Sequence, residues 1–295
     1  MINHQSPFIL KDKIIEIFVP ADDFCISFSD CIQHYRLESN VIKHRNRKAS
    51  LTDSEIIAIL IFFDYGSFTN FKHYYLHCVK AHLSDCFPSL VSYNRFIELQ
   101  QRVAVPMMLF LKMCCLGKSR GINFVDSTHI KVCHNKRIRQ NKVFKGVAER
   151  GFTSIGWFYG FKLHLIINDR GEILSFYLTK GNVDDRNIKV MQSLTEDIFG
   201  KLFGDKGYIS KALSDLLFAD GIQLITKVKK NMQKQDLTAT DKILLRKRAI
   251  IDPIAIGSVN DELKNICQIA TYQTSFYQWL SIQRNEHAGG LRILS

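Results

Sequence analysis

The chain reads as an α/β protein: a mixed sheet flanked by helices, preceded by an all-helical N-terminal region. Three observations predict this. Up to about residue 117, apolar residues recur at helical spacing and the breaks carry helix caps. From about 118 the texture changes to short β-branched and aromatic runs bounded by Gly, Asn and Asp. Those runs come in the order strand, hairpin, strand, helix, strand, helix, which suits a mixed sheet with helices packed on it.

In "LTDSEIIAILIFFDYG", Thr52 or Asp53 caps an apolar helix. "NFKHYYLHCVKAHLSDCF" and "SYNRFIELQQRVAVPMMLFLKMCC" continue in the same style. Ser92 can cap a helix that exposes Asn94 and Arg95, as in a helix-turn-helix, although an ordinary bundle helix is the preferred reading. His73 and His77 stand at i and i+4 with Cys78 and His82 nearby, a spacing that can bind zinc. No glutamate follows His73 as on a metalloprotease helix, and the reading without a metal is preferred. "GINFVDSTHIKV" is strand-like, and "GWFYGFKLHLIINDRGEILSFYLTKGNVDD" reads as two strands joined at Asn168-Asp169-Arg170-Gly171. "KLFGDKGYIS" is a short strand, "SKALSDLLFADG" a helix ended by Gly221, "IQLITKV" a strand, and "DKILLRKRAII" a basic helix.

Lys and Arg total 40 against 28 Asp and Glu, with a pI near 9.3. Such an excess points to a polyanion, nucleic acid first, although charge alone equally fits a basic protein with no such partner. The eight cysteines form no Cys-x-x-Cys pair, so no zinc ribbon or redox motif is indicated, and they read as small buried hydrophobes. The first residues lack the pattern of a signal peptide, and "IIAILIFF" is too short to span a bilayer. A reduced, cytoplasmic, soluble protein without a membrane partner is the expectation.

Asp126 follows one apolar strand in "FVDSTH" and Asp205 another in "LFGDKGY". Strand ends are where α/β sheets place their sites. Two carboxylates from different strands can share a divalent cation, and Mg²⁺ prefers carboxylate oxygen and water. A lone Asp at a strand end is more often a turn or cap residue. The glycines around Asp205 and the small polar residues after Asp126 favour the functional reading. Between Lys131 and Arg150 lie seven Lys or Arg, among them Lys136, Arg137, Arg139, Lys142 and Lys145. Such a run can track phosphates, as can Lys227, Lys229 and Lys230, or it can be a solvated face. His129 and Lys206 flank the aspartates and either contact a scissile phosphate or cap a strand, and Tyr208 is as readily a packing residue.

"VDSTHIKV", "GFKLHLIINDRGEILSFYLTKGNVDDR" and "GDKGYISKAL" together resemble the catalytic domain of DDE transposases of bacterial insertion sequences. The resemblance runs from about Gly121 to Gln268. It implies an RNase H-like fold, Mg²⁺ or Mn²⁺ in a two-metal site, and cleavage and joining of DNA at transposon ends in the bacterial cytosol. It makes Asp126 and Asp205 the first two catalytic and metal-binding aspartates. Residues 1–117 would help bind transposon ends, 118–269 would be the catalytic domain, and the protein would act on end and target DNA as a homo-oligomer; the alternative is a non-catalytic DNA-binding remnant, or an RNase H-like nuclease without strand joining.

The family's third carboxylate is a Glu in a pattern like I-E-(T/S)-V-x-D-x-L-K. Here Ile251 is followed by Asp252, and the pattern resumes only at Ser258-Val259-Asn260-Asp261-Glu262-Leu263-Lys264. Pro253 to Gly257 have no counterpart and would interrupt a helix across 252–257. Insertion of DNA inside the Glu codon accounts for this, since GA from Asp252 and the last base of a GGA codon for Gly257 restore GAA. Asp252 is then a shorter substitute for the third carboxylate, with Glu262 the alternative. The family continues roughly Q-I-E-H-T-(R/K)-H-R-S, whereas this chain reads Gln268-Ile269-Ala270-Thr271-Tyr272. A single-base shift relates the two, so residues 270–295 are expected to be an atypical, frameshifted tail of a degenerate copy.

Overall fold

Thr52 opens the helical half of the chain with a reciprocal cap. Its hydroxyl accepts from the Glu55 N–H at 3.1 Å, and the Glu55 carboxylate accepts from the Thr52 N–H at 2.7 Å. The computed structural model describes residues 7–38, 50–65, 68, 70–142, 144–227 and 237–248. Residue contacts divide the chain into two units, with a boundary between Cys114 and Cys115.

The first unit contains α1 (Pro7–Glu38), α2 (Asp53–Tyr65), α3 (Phe71–Tyr74), α4 (Lys80–His82), α5 (Tyr93–Gln100) and α6 (Ala104–Cys114). In α2, Ile56 to Leu60, Phe62 and Phe63 are all buried, as an all-round apolar helix requires. Ser92 caps α5 and leaves Asn94 and Arg95 exposed. A single π-helical turn, Tyr75–Val79, joins α3 to α4. The rings of His73 and His77 lie 4.6 Å apart on its exposed side, but Cys78 is buried on the other side. Among the described residues no three His, Cys, Asp or Glu are grouped to hold a metal ion. The cysteine expectation holds only in part. Cys25 and Cys78 are buried, and burial raises each thiol to about 11, whereas Cys31, Cys114 and Cys115 are exposed. No helix among the described residues is long and apolar enough to cross a membrane.

The second unit contains β1 (Ile122–Cys133), β2 (Glu149–Thr153), β3 (Gly156–Asn168), β4 (Ile173–Lys180), α7 (Ile188–Thr195), β5 (Gly200–Gly204), α8 (Lys211–Ala219), β6 (Ile222–Thr226) and α9 (Ala239–Lys247). The central order is β4-β3-β1-β5-β6, and β2 lies beside β4 on the same edge of β3. β3 is antiparallel to β1 and β4, while β5 and β6 run parallel to β1. This mixed sheet is RNase H-like. The hairpin at Asn168–Gly171 and the helix end at Gly221 form where the turn residues indicate, both glycines having positive φ. β2 and α7 are additions, both short, and β2 carries a glycine and two charges that hide its strand character.

Strand alternation sorts the core into two layers. Val125, Ile166 and Leu202 face Val190, Met191 and Leu194 of α7 and Leu213 and Leu217 of α8. One residue along, Phe124, Ile167, Phe203 and Ile225 face Leu245 of α9. The buried Asn123 amide donates to the carbonyls of Phe199 and Lys201 at 2.9 and 3.2 Å, which fastens β1 to the start of β5. Asp241 anchors α9 by accepting from Lys201 at 2.7 Å and from the Thr238 hydroxyl at 2.7 Å. The Lys201 hydrogen bond holds the Asp241 carboxyl below the usual range.

Backbones touch where β1, β3 and β4 meet. The Gly181 N–H donates to the Gly160 carbonyl at 3.0 Å, and a Cβ on Gly160 would fall 1.9 Å from the Ile130 oxygen. No flexible side chain can yield there. Gly160→Ala is therefore expected to lower stability by about 1–3 kcal/mol or more, seen as a lower urea midpoint at unchanged denaturant slope.

Candidate active site

Asp126 and Asp205 stand at matching distances beyond the pairing of neighbouring parallel strands, Asp126 within β1 and Asp205 one residue past β5. The β1–β5 pairing ends at Phe124 opposite Phe203, and each aspartate stands two residues further on. A two-residue step keeps a side chain on the same face. Asp126, within β1, thus keeps to the face of Phe124 and α9, while Asp205 caps the 3-10 turn Lys206–Tyr208; the rings of Phe124 and Phe203 before them lie 5.6 Å apart. One expectation needs correction. Asp126 is not at the end of β1, because β1 continues to Cys133 along the much longer β3. What ends at Asp126 is the pairing with the five-residue β5.

Each carboxylate is oriented locally. The Asp126 Oδ1 accepts from the Ser127 N–H at 2.9 Å, and the Arg248 Nη1 lies 3.2 Å from its Oδ2. Arg248 immediately follows α9, so the helix end brings a cation to the first aspartate. Asp205 Oδ1 accepts from the Gly207 N–H at 2.6 Å. A Cβ on Gly207 would lie 2.8 Å from that oxygen, which explains the glycine in Gly-Asp-Lys-Gly. Lys206 between them is exposed.

A second set of polar groups lies behind β1 and had no assigned role in the sequence reading. Asp185 Oδ1 accepts from the Ser127 hydroxyl at 2.8 Å and lies 3.1 Å from Lys162 Nζ. The same Lys162 donates to the Val183 carbonyl at 2.7 Å. His164, fully buried and paired with Ser127 across the ladder, shares a 2.9 Å hydrogen bond with Thr179 and turns its Nδ1 toward Asp185 at 3.8 Å. Burial lowers His164 to about 4, against the opposing pull of Asp185, so the ring is neutral and its approach to Asp185 is not an ion pair at neutral pH. Tyr208 completes the cluster. Its phenol is buried and raised well above the usual range, first by desolvation, then by Asp185, Asp126 and Asp205 together. All three acids therefore act on one phenol. The only sequence signal for this set was Lys162 and His164 two apart in a strand, with Asp185 in "GNVDDR".

Lys131, Lys136, Arg137, Arg139, Lys142 and Lys145 are exposed, and Lys136 to Arg139 ride on a 3-10 turn, Asn135–Gln140, just after β1. His129 is half-buried with its ring 5.1 Å from Phe158, and burial lowers its pKa. Lys229, Lys230, Asp252, Glu262, the interruption at 252–257 and the tail 270–295 lie outside the described residues.

A transposase DDE domain profile matches residues 116–274, more than half of the chain. The chain belongs to the transposase DDE domain family. This is a family of DNA-transposition enzymes that generally use divalent metals. Among solved structures, the chain is similar to the piggyBac transposase in a synaptic complex with hairpin DNA, at 12% identity and a TM-score of 0.40. That match covers 81% of this chain and 53% of the piggyBac chain, so this DDE protein spans about half the length of that relative. No curated protein matches by sequence.

His164 gives the DDE domain a specific pH dependence. Its folded pKa of about 4 lies below the ordinary 6.5, so the unfolded chain takes up the proton first as pH falls. The stabilisation from keeping it neutral is complete above pH 6.5 and is lost as pH drops to about 4. Urea unfolding across this window should show stability falling by on the order of 2–3 kcal/mol more in the native chain than in His164→Gln.

Proposed function

We infer that the protein is a bacterial insertion-sequence transposase that binds element ends and cuts and joins DNA with Mg²⁺ or Mn²⁺. The observation that supports this reading is that Asp126 and Asp205 each stand two residues beyond the last paired residues of the adjacent parallel strands β1 and β5. Two hard oxygen ligands of this kind fit Mg²⁺, and the Asp126 carboxylate already balances a cation, the Arg248 guanidinium. Asp126 and Asp205 would hold the metal, and Asp252, or else Glu262, would complete the set. When bound, a pair of such ions activates a water or 3′-hydroxyl and stabilises the leaving oxygen in phosphoryl transfer. The chain's own residues position DNA around this point. The exposed Lys131, Lys136, Arg137, Arg139, Lys142, Lys145 and Lys206 supply phosphate contacts, with Lys229 and Lys230 following β6 in the sequence. Copies would assemble on paired ends.

The sequence of this copy favours impaired catalysis. α9 ends just before Arg248, and Asp252 follows four residues later, with Pro253 and Gly257 behind it. Asp is one methylene shorter than Glu, and a metal ligand displaced by about an ångström can cost on the order of a hundredfold in rate. A DNA-binding remnant without catalysis is the second reading, favoured by that same interruption.

Three purified chains on labelled element-end DNA with Mg²⁺ or Mn²⁺ decide between them: the chain as it stands, the chain with Asp252 to Gly257 replaced by one Glu, and the latter with its tail in the family's frame. Cleavage should be faint or absent in the first and strongest in the third. Robust cleavage by the first, abolished by Asp252→Ala, would instead make Asp252 a working ligand. Binding should also weaken steeply with salt. Replacing Lys136, Arg137 and Arg139 by Ala should reduce the log–log salt slope by about two to three, as expected for three phosphate contacts.

A further inference from the structure

Two aromatic rings stand in solvent at the tip of the β2–β3 hairpin. Phe152 and Trp157 are each 64% exposed, and Ile155 in the turn between them is 81% exposed. They face each other across the ladder, next to the closing pair Thr153 and Gly156. The rings meet edge to face at 5.2 Å, an arrangement that leaves broad faces of both open. A cross-strand aromatic pair steadies a hairpin, but that role does not call for three adjacent apolar side chains in water.

The charge around the tip is of one sign. Alternation carries Arg150 on the same side as Phe152, whereas Glu149 falls on the other side and pairs with Lys180 at 3.6 Å. The basic 3-10 turn is tied to the aromatic strand itself, because the Asn135 side-chain amide donates to the Trp157 carbonyl at 2.8 Å. That turn carries Lys136, Arg137 and Arg139, all exposed like Arg150. The ion pairs among the described residues include none of these four cations.

We propose that the β2–β3 hairpin tip stacks on unpaired DNA bases through Trp157 and Phe152, while Arg150 and the Asn135–Gln140 turn hold the flanking phosphates. The proposal rests on the DNA-transposition reading and deepens it. Aromatic platforms beside cations are how proteins hold single strands, because every base has a stacking face. Bases inside a blunt duplex are already stacked on each other and offer none. Offset cuts in the two strands at an element end leave, once the ends separate, unpaired bases within reach of a protein that stays bound.

The test uses the full chain carrying Trp279→Phe, which leaves Trp157 as the sole tryptophan. Two probes of equal duplex length are compared, one blunt and one with an unpaired tail. The tailed probe should quench Trp157 fluorescence and bind more tightly. In anisotropy measurements on the otherwise native chain, Trp157→Ala should weaken binding to the tailed probe by about tenfold or more and leave the blunt probe nearly unchanged. Trp157→Phe should keep most of the preference. Should Trp157→Ala fail to fold, the quench together with Trp157→Phe decides. Equal binding of both probes, without quenching, would overturn the proposal and leave DNA binding intact. Binding of neither probe would remove the DNA reading itself and the proposal with it. Loss of self-association in Trp157→Ala, with DNA binding unaltered, would assign the tip to a second copy and overturn the proposal.

Discussion

The parallel pairing of β1 with β5 is the constraint on which the site depends. Only Ile122, Asn123 and Phe124 take part, opposite Lys201, Leu202 and Phe203. Those three steps set the relative height of Asp126 and Asp205, and the pleat sets the face of Asp126. A slip of one residue in β1 would turn Asp126 toward α7 and α8 instead of α9. The register is held from both ends. Below, the Asn123 amide bridges to carbonyls on either side of Gly200. Above, Phe124 and Phe203 share one apolar layer with Leu245. An interior amide is costly to leave unsatisfied, so it penalises wrong registers more than it rewards the right one.

The two faces of the sheet divide the work. Asp126 belongs to the layer under α9, where Arg248 just after that helix meets it. Asp185, His164, Lys162 and Ser127 belong to the opposite side, where Tyr208 packs into the larger apolar cluster. Ser127 links the two, since its N–H is bonded to Asp126 and its hydroxyl to Asp185. A change at Asp185 therefore reaches the first aspartate through one residue of β1.

Much of this was legible in the sequence, for physical reasons that differ by element. Asp126 and Asp205 could be picked out because each follows an apolar run and is flanked by small residues that permit tight backbone. The Asn168–Gly171 turn and the Gly221 helix end were legible because only certain residues take those conformations. The extent of β1 was legible to within a residue in "GINFVDSTHIKV". That its pairing with β5 stops at Phe124 was not, because the partner strand sets where a ladder ends. β2 was hidden by its charges and glycine. The cluster around Asp185 was illegible because Ser127, Lys162 and Asp185 are brought together by register and not by spacing. The π-helical turn at Tyr75–Val79 likewise leaves no periodic signature.

The contact between Arg248 and Asp126 also bears on how such a site survives before it works. Carboxylates standing beyond the paired ends of adjacent strands repel one another and would tend to pull those ends apart in a newly made chain. A guanidinium delivered by the helix end supplies electroneutrality from within, so the acidic strand ends can mature without waiting for any solute. The same arrangement imposes an order of events. Whatever later claims Asp126 must first displace or share a countercharge that is covalently part of the chain, and therefore always present at high local concentration.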